Sequence, residues 1–247
     1  MPRLVELLAR NLGTSRTAVV RLIEEGRIRD ADGIPHQNKN LDVPAGDASA
    51  PTTVVSVDDQ LVPLWDRAVV LQHKPRGVVT ALRDERHATA YDLLHDAPLH
   101  GELRAVGRLD LETSGLLLWT TDGALIQRLT HPKRRVPRRY QAALARPCRL
   151  ADAPGLVLED GHRPEISALE EFAASEAHPA LEIPADTAAL ASITIIGGAY
   201  HEVRRIFAAL GSHVLGLCRV GYGDWALPVD LPAGGWRCVP PPGIPSS

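Results

Sequence analysis

Hydrophobic residues recur at helical spacing in the first 26 residues of the chain. The stretch LVELLARNL, residues 4–12, carries leucines three to four positions apart, and TSRTAVVRLIEEG continues with similar spacing. Thr14 or Ser15 can cap the second of these segments, and Gly26 can end it. The pattern predicts two short helices that lead into a strand and turn at RIRDADG.

Beyond residue 66 the pattern changes to short apolar runs separated by turn residues. The runs AVVLQHK, GLLLWTT, RRYQAAL and LASITII have the length and composition of strands. Helical spacing returns only at about 89–95, 123–130 and 200–210. Strands with helices at irregular intervals predict an α+β fold and not a regular βαβ series.

Proline, glycine, aspartate and serine dominate residues 42–53, which we interpret as the seam between two domains. We therefore predict a small domain at 1–60, a larger domain at 66–240 and a disordered tail at 241–247. A chain of 247 residues that is 45% hydrophobic is long enough to bury both cores.

Simple counts disfavour a membrane-spanning protein and a protein built on disulfides or a zinc site. The first 17 residues carry a charge every few positions, and no apolar run approaches the roughly 18 residues of a membrane span, so we expect a cytoplasmic protein. The three cysteines, Cys148, Cys218 and Cys238, are odd in number and lack C-x-x-C spacing. They predict reduced thiols, and neither a disulfide framework nor a zinc site.

Charge is distributed unevenly along the chain. The formal net charge of -3 alone argues against a nucleic-acid partner, yet residues 128–139 hold six Lys or Arg and no acid. Residues 152–186, in contrast, hold nine acids and one arginine. The basic run is either a solvated face or a surface for a polyanion.

An arginine and an aspartate interrupt the apolar segment GRLDLETSGLL, residues 107–117. The run after Gly115 is expected to be a buried strand that ends at the Asp-Gly turn at 122–123, which places Asp110 on the loop entering that strand. This pattern leaves two interpretations. Asp110 either hydrogen-bonds forward to Thr113 as a turn residue, or it carries chemistry.

Three further stretches accompany this one: QHKPRGVVTA at 72–81, RRYQAAL at 138–144, and GGAYHEVRRIFAALGSHVLGL from residue 197. In order and spacing the four stretches resemble the pseudouridine synthases of bacterial ribosomal RNA, over residues 68–239. The resemblance implies a catalytic domain with a mixed, mainly antiparallel sheet. It also implies conversion of a flipped-out uridine to pseudouridine, with no cofactor or metal.

The N-terminal stretch LLARNLGTSRTAVVRLIEEGRIRDADG resembles the ribosomal-protein-S-four-like RNA-binding domain, a small α/β unit that precedes the catalytic domain in this branch of the family. Ser15, Arg16 and Arg27 fit that pattern as RNA-binding residues. Val5 and Glu6 stand where the family usually has aspartate and lysine. Each lost basic phosphate contact weakens RNA binding, so the strength of binding by this domain is in question.

The resemblance also assigns the catalytic residues. Asp110 corresponds to the nucleophile, Arg204 in HEVR to the cation that keeps it ionised, and Tyr140 to the tyrosine that stacks on the flipped uracil. Glu202 departs from the family, which commonly has glutamine there. Without the resemblance, Arg204 and its neighbour could be surface helix charges, and Tyr140 an ordinary half-buried strand residue.

Further basic residues are assigned to RNA in the same way. Arg108 is similar to an arginine that enters the RNA helix beside the flipped nucleotide, and it can equally contact a phosphate. The others are predicted to form a phosphate-facing rim: Lys74, Arg76, Lys133, Arg134, Arg135, Arg138 and Arg139.

Two other functions were weighed against a synthase. A non-catalytic RNA-binding or ribosome-assembly protein would have lost the nucleophile, but Asp110, Tyr140 and Arg204 are all present. A metal-dependent nuclease or phosphotransferase needs clustered acids or a glycine-rich phosphate loop. The paired acids at 58–59 and 170–171 are adjacent in sequence, and adjacent residues on a strand point to opposite faces.

The predicted partner is ribosomal RNA or an assembly intermediate of the small subunit, and the predicted protein is a monomer without a membrane partner. Tyr200-His201 and the following IFAALGSHVLGL resemble the family members that modify small-subunit (16S) RNA. The stretch GYGDWAL at 221–227 resembles the large-subunit relatives instead. Modification of 23S RNA therefore stays the alternative.

Overall fold

The structure is a computed structural model that describes residues 1–44, 46 and 48–242. Most of the predicted tail, residues 243–247, lies outside the described residues. None of the helices in the described part of the chain is long and apolar enough to cross a membrane.

The N-terminal unit packs two helices against a small antiparallel sheet. Leucines of the first helix and Val19 and Ile23 of the second are buried in one hydrophobic core, and the Ser15 side chain caps the second helix by accepting from the Ala18 N–H at 3.1 Å. Both helices begin and end close to the predicted positions. The elements are α1 (Leu4–Asn11), α2 (Arg16–Glu24), β1 (Ile28–Arg29), β2 (Thr53–Val57) and β3 (Gln60–Leu64), with the strands in that order in the sheet.

The predicted boundary of this unit needs a correction. Strand β3 runs to Leu64, which is fully buried in the N-terminal core, so the unit extends past residue 60. The turn-rich residues 42–53 are not where the chain passes from one unit to the other, because they connect β1 to β2, and Val43 is buried in the N-terminal core. Ala48 of the same segment nevertheless packs in a core of the larger unit, where its carbonyl accepts from the Val69 N–H. Turn-forming residues mark this internal loop as readily as they would mark a linker between domains.

The larger unit is built on one mixed sheet with two helices. Its strands are paired in the order β12-β4-β6-β10-β7-β9-β8, with β5 beside β6 and β11 beside β10, and every pair is antiparallel except β6 with β10. The elements are β4 (Val69–Lys74), β5 (Arg104–Val106), β6 (Ser114–Thr120), α3 (Gly123–Thr130), β7 (Arg138–Leu144), β8 (Ile166–Glu171), β9 (Ala189–Ile195), α4 (Glu202–Ala209), β10 (Val214–Tyr222), β11 (Trp225–Ala226) and β12 (Trp236–Cys238).

Both faces of this sheet are buried, which explains the unbroken apolar run of β6. Leu117 and Trp119 pack in one hydrophobic cluster, while Leu116 and Leu118 pack in the other. A strand that is covered on both faces has no polar face and therefore shows no alternation in sequence. The expected helix at 89–95 is absent: only a single 3₁₀ turn forms at Asp92–Leu94.

The two units are joined by polar contacts at the end of α1. The Arg10 guanidinium donates to both carboxylate oxygens of Glu102, at 2.9 and 2.8 Å, and to the Asp66 carbonyl at 2.8 Å. The Asn11 side chain donates to the Trp65 carbonyl and accepts from its N–H, both at 2.9 Å. The short connection after β3 is thus fixed by side chains of the first helix.

Candidate active site

The loop that enters β6 is held by its backbone. The Thr80 hydroxyl accepts from the Leu109 N–H at 3.1 Å and donates to the Leu109 carbonyl at 2.9 Å. The Thr113 N–H bonds the Asp110 carbonyl at 3.1 Å, so the backbone and not the carboxylate closes this turn. The Asp110 side chain is 38% exposed and remains available for chemistry.

Lys74 ties the same loop to β4. Its side chain is fully buried, and Nζ donates to the carbonyls of Pro75, Asp110 and Thr113 at 3.0, 3.1 and 2.8 Å. Burial lowers the pKa of Lys74 to about 8, partly opposed by the Asp110 carboxylate. Lys74 therefore does not belong to the phosphate-facing rim. It holds the loop that contains Asp110 from inside the protein.

The glycine of the Thr-Ser-Gly sequence that follows is needed for steric reasons. Gly115 has a φ of +111°, and a Cβ at this position would lie 2.4 Å from the Arg219 carbonyl oxygen. The glycine allows β6 to pair with β10 in parallel at this register, where Gly115 is opposite Arg219. The close approach brings the start of β6 and the middle of β10 to one cavity.

That cavity has a volume of about 490 Å³. Asp110 lies on its wall together with Tyr140 of β7, which is buried and 7% exposed. The remaining polar side chains on the wall come from the loop that contains Asp110, from β7, from the start of α4 and from β10: Arg108, Thr113, Arg138, His201, Arg204 and Arg219. The structure thus brings together Asp110, Tyr140 and Arg204, which are far apart in sequence.

The ionisable side chain found against the Asp110 carboxylate is His201. Its Nε2 lies 3.6 Å from Asp110 Oδ1, and its backbone is in the left-handed region with a φ of +48°. The ring is stacked on Tyr200, a residue that is 78% exposed, with 3.9 Å between ring centroids. The sequence patterns did not identify this contact, because only the fold brings residue 201 beside residue 110.

Arg204 does not reach ion-pair distance from Asp110. Its guanidinium donates to the Glu112 carbonyl at 2.9 Å and to the Val214 carbonyl at 3.2 Å. Burial lowers the pKa of Arg204, and the nearby Asp110 and Glu112 carboxylates oppose that shift. Arg204 therefore supports the loop that holds Asp110 by a hydrogen bond to the Glu112 carbonyl.

Glu202, where the family commonly has glutamine, has its own partner in this chain. One carboxylate oxygen is 2.7 Å from His162 Nε2, and the other accepts from the Ala199 N–H at 3.0 Å. Glu202 is 4% exposed. The acid is therefore satisfied on both oxygens and helps to hold the segment before α4.

The other predicted basic residues separate into two groups. Arg108 and Arg138 line the cavity, and Lys133 and Arg134 are exposed just before β7. Arg139 is exposed too, but it lies between Arg138 and Tyr140 on β7 and projects from the opposite face of the sheet. Arg76, in contrast, pairs with Glu112 and Glu182, and Arg135 pairs with Glu165. Acids of the protein itself compete with phosphates for these last two arginines.

In the N-terminal unit the predicted RNA-binding residues have internal partners. Ser15 is the helix cap described above, Arg16 lies 3.3 Å from Glu6, and Arg27 lies 2.6 Å from Asp58. Their contribution to RNA binding stays a prediction.

Neither a disulfide nor a metal cluster accompanies this site within the described residues. Cys148, Cys218 and Cys238 are free thiols, and burial raises the pKa of Cys218 and of Cys238 to about 11. No group of three or more His, Cys, Asp or Glu side chains suited to hold a metal ion occurs in that part of the chain.

Comparisons with known proteins agree with this arrangement. A family model described as RNA pseudouridylate synthase matches residues 68–209. Ribosomal large subunit pseudouridine synthase B of Shigella flexneri is 34% identical over 245 residues, covering 95% of this chain and 78% of the relative. Ribosomal small subunit pseudouridine synthase A of Haemophilus influenzae is 31% identical over 239 residues, covering 95% of this chain and 94% of the relative.

A solved structure supports the same fold. A crystal structure of a pseudouridylate synthase matches with a TM-score of 0.57 and 29% identity, covering 97% of this chain and 96% of that one. The mixed, mostly antiparallel sheet is therefore the pseudouridine synthase fold. Since the family model matches more than half of the chain and the relatives cover nearly all of it, the resemblance seen in the sequence is confirmed, and this chain belongs to the RNA pseudouridylate synthase family.

Proposed function

We propose that this enzyme converts one uridine of small-subunit (16S) ribosomal RNA to pseudouridine, with Asp110 as the nucleophile. The observation that carries the proposal is the Asp110 side chain itself. Its backbone is fixed by Lys74 and Thr113, while its carboxylate lies half-exposed on the wall of a cavity, with His201 as its neighbour.

The other cavity residues suit a flipped nucleotide. The Tyr140 ring is positioned to stack on uracil, an interaction worth about 1–3 kcal/mol per base, comparable with the few kcal/mol needed to unstack it. Arg204 lines the same cavity, and His201 Nε2 lies 3.6 Å from the Asp110 carboxylate. An ionised carboxylate can attack either the uracil ring or the anomeric carbon of the ribose.

The RNA backbone is assigned to the surface beside the cavity. Lys133 and Arg134 are exposed there, next to Arg108 and Arg138 on the cavity wall. Phosphate contacts of this kind fix the register of the RNA without reading its sequence. We infer that the N-terminal unit, residues 1–64, is a ribosomal-protein-S-four-like domain that adds a second RNA contact. The enzyme acts as a monomer in the cytoplasm, where ribosomal RNA is available.

The choice of the small subunit rests on two observations. The segment IFAALGSHVLGL resembles the small-subunit members of the family, and the small-subunit relative from Haemophilus influenzae is matched over 94% of its length. A large-subunit uridine is the second candidate, because the relative from Shigella flexneri is 34% identical and GYGDWAL resembles that group. The pocket reads only a uracil, so the folded RNA around it supplies the remaining discrimination.

The test is to map pseudouridine in both ribosomal RNAs from cells with and without this protein. A uridine-selective adduct that stops reverse transcription marks each site. We expect one site in 16S RNA to disappear in the deletion strain and to return with the wild-type gene but not with an Asp110→Asn gene. Loss of a 23S site instead would assign the large subunit, and unchanged maps of both RNAs would refute the proposal.

A further inference from the structure

Two buried polar atoms without partners belong to residues that line the active-site cavity. Within the described residues, three buried side-chain nitrogen or oxygen atoms have no hydrogen-bond partner: Thr113 Oγ1, Thr187 Oγ1 and Arg219 Nη2. Thr113 and Arg219 line the cavity that holds Asp110. An unsatisfied buried donor or acceptor is costly, and its occurrence in a binding cavity indicates a partner supplied by the ligand.

Arg219 is the more unusual of the two. It is 1% exposed. Its Nε donates to the Leu116 carbonyl at 2.8 Å, and its guanidinium carbon lies 5.0 Å from the centroid of the Tyr222 ring. None of the ion pairs among the described residues includes Arg219. Arginine stays protonated in proteins, so a buried positive charge faces the cavity without an acid of the protein beside it.

The strand register places this charge where the base is expected. Arg219 of β10 is the direct antiparallel partner of Tyr140 on β7, and directly paired residues project their side chains from the same face of a sheet. Thr113 immediately precedes β6, and the next residues of β6 pair in parallel with β10 at Cys218 and Arg219. Tyr140, Thr113 and Arg219 thus line one cavity from three adjacent strands or strand ends.

We propose that Arg219 and Thr113 bind the edge of the flipped uracil, with an Arg219 N–H donating to a uracil carbonyl and the Thr113 hydroxyl accepting from N3–H. This inference rests on the proposed function and adds to it a means of base recognition. Uracil presents a carbonyl acceptor beside an N3–H donor, whereas cytosine presents an amino donor beside an N3 acceptor. When the carbonyl is O4, which cytosine replaces by the amino group, the pair favours uracil over cytosine.

The same contact also stabilises charge that develops in the reaction. When the C1′–N1 bond breaks, its electron pair stays with the base, and the negative charge is shared with the carbonyl oxygens. The base rejoins the ribose through C5, C5 loses its proton, and N1 gains one, so the product is an isomer of the substrate. A charge-assisted hydrogen bond from Arg219 strengthens as the oxygen becomes negative, which makes it a stabilising contact for the departing base.

The first test compares single-turnover rates with RNA affinity. The full-length Arg219→Met protein removes the charge at similar volume, and we expect a rate about 10²–10³-fold lower with RNA affinity changed by less than about threefold. Arg219→Lys restores part of the rate. Arg237→Met, at an exposed arginine that pairs with Asp230, is the matched control and leaves both quantities unchanged. Weakened RNA binding with an unchanged rate would mean a phosphate contact and would overturn the proposal.

A second test changes the substrate atom. Transcripts carry a single 2-thiouridine or 4-thiouridine at the modified position, because sulfur is a weaker acceptor than oxygen. One of the two thio-substitutions should slow the wild-type enzyme and have little further effect on Arg219→Met. If both thio-effects persist unchanged in Arg219→Met, Arg219 does not contact a carbonyl.

A third variant keeps the proposal testable if loss of the buried charge prevents folding. Thr113→Val keeps the shape of the side chain and removes only the hydroxyl, and we expect a rate about tenfold lower. An unchanged rate for Thr113→Val would overturn this half of the base contact. Failure of the wild-type enzyme to act on either ribosomal RNA would refute the proposed function, whereas normal wild-type activity with unaffected variants would refute only this inference.

Discussion

Arginines of the N-terminal unit and arginines of the cavity have different partners. Arg10, Arg16 and Arg27 each pair with a carboxylate of the protein. Arg138 and Arg219 instead lie over the Tyr222 ring, at 5.2 and 5.0 Å from its centroid, and neither is in an ion pair within the described residues. Positive charge is thus paired with carboxylates at these positions of the small unit and left without a carboxylate at the two cavity positions, where an RNA chain can compensate it.

The largest expected effect is loss of the Asp110 carboxylate among these cavity cations. Asp110→Asn removes the proposed nucleophile with almost no change in shape, so we expect no pseudouridine formation while RNA affinity stays within a few fold. Glu112→Gln is the matched control, because Glu112 is on the same loop but pairs with Arg76, and it should retain activity. Turnover by Asp110→Asn, with deamidation excluded, would show that another residue is the nucleophile.

A smaller loss is expected when one cavity cation is removed. Arg204→Ala should lower the rate about a hundredfold, because the loop that holds Asp110 loses the hydrogen bond to the Glu112 carbonyl and the cavity loses a positive charge. Arg205→Ala, one residue further and paired with Asp160, should leave the rate unchanged. An unchanged rate in Arg204→Ala would show that this hydrogen bond and this charge are not needed for the reaction.

The contrast between free and paired cations can be measured by salt dependence. Replacing Lys133 and Arg134 by alanine should reduce the slope of log affinity against log salt by about 1.5, since each phosphate contact contributes about 0.7–0.9. Replacing Arg16 and Arg27 should change the slope by less than about 1, because their partners are Glu6 and Asp58. Equal changes per residue would remove the distinction between the two units.

The smallest effect concerns the buried lysine of the catalytic unit. The folded-state pKa of Lys74, about 8, lies below the ordinary value of about 10.4, so the unfolded chain binds more protons between these values. Wild-type stability relative to Lys74→Met should therefore rise from pH 8 to about pH 10, as measured by urea unfolding. Lys39→Met, at an exposed lysine paired with Glu24, is the control and should show no such trend. A constant difference for Lys74→Met would mean that its pKa is not lowered.

Much of the fold could be predicted from local pattern, and some could not. The apolar runs of β4, β6, β7 and β9 and the capped helix α2 are strong local signals, and all five elements occur. The segment 89–95 has helical spacing, yet seven residues hold too few hydrogen bonds to form a helix without tertiary support. The loop at 42–53 was interpreted as the seam because a turn-rich loop inside a unit resembles a linker, and the first unit runs to Leu64, past the predicted end at residue 60.

The residues of the site likewise include some that could be predicted from the sequence and some that could not. Asp110, Tyr140 and Arg204 were identified through family resemblance, because no local pattern brings residues from a loop, a strand and a helix together. Lys74 was wrongly expected at the surface, since its Lys-Pro-Arg-Gly context is that of an exposed turn and only the tertiary structure shows its burial. His201 and Arg219 carry no local signal for their contacts, which arise from strand register and from the left-handed residue before α4.

The contact of Arg10 with Glu102 attaches the N-terminal unit to the catalytic unit and also fixes the distance between them. With Asn11 it fixes the end of α1 against the catalytic unit, so the surfaces of the two units are held at one separation and one angle. If both units contact RNA, as we propose, this fixed spacing makes the enzyme a ruler: an RNA fold that presents phosphates at that interval meets both surfaces without ordering a flexible linker first. Under that proposal, selection of one uridine among many depends on length along the folded RNA.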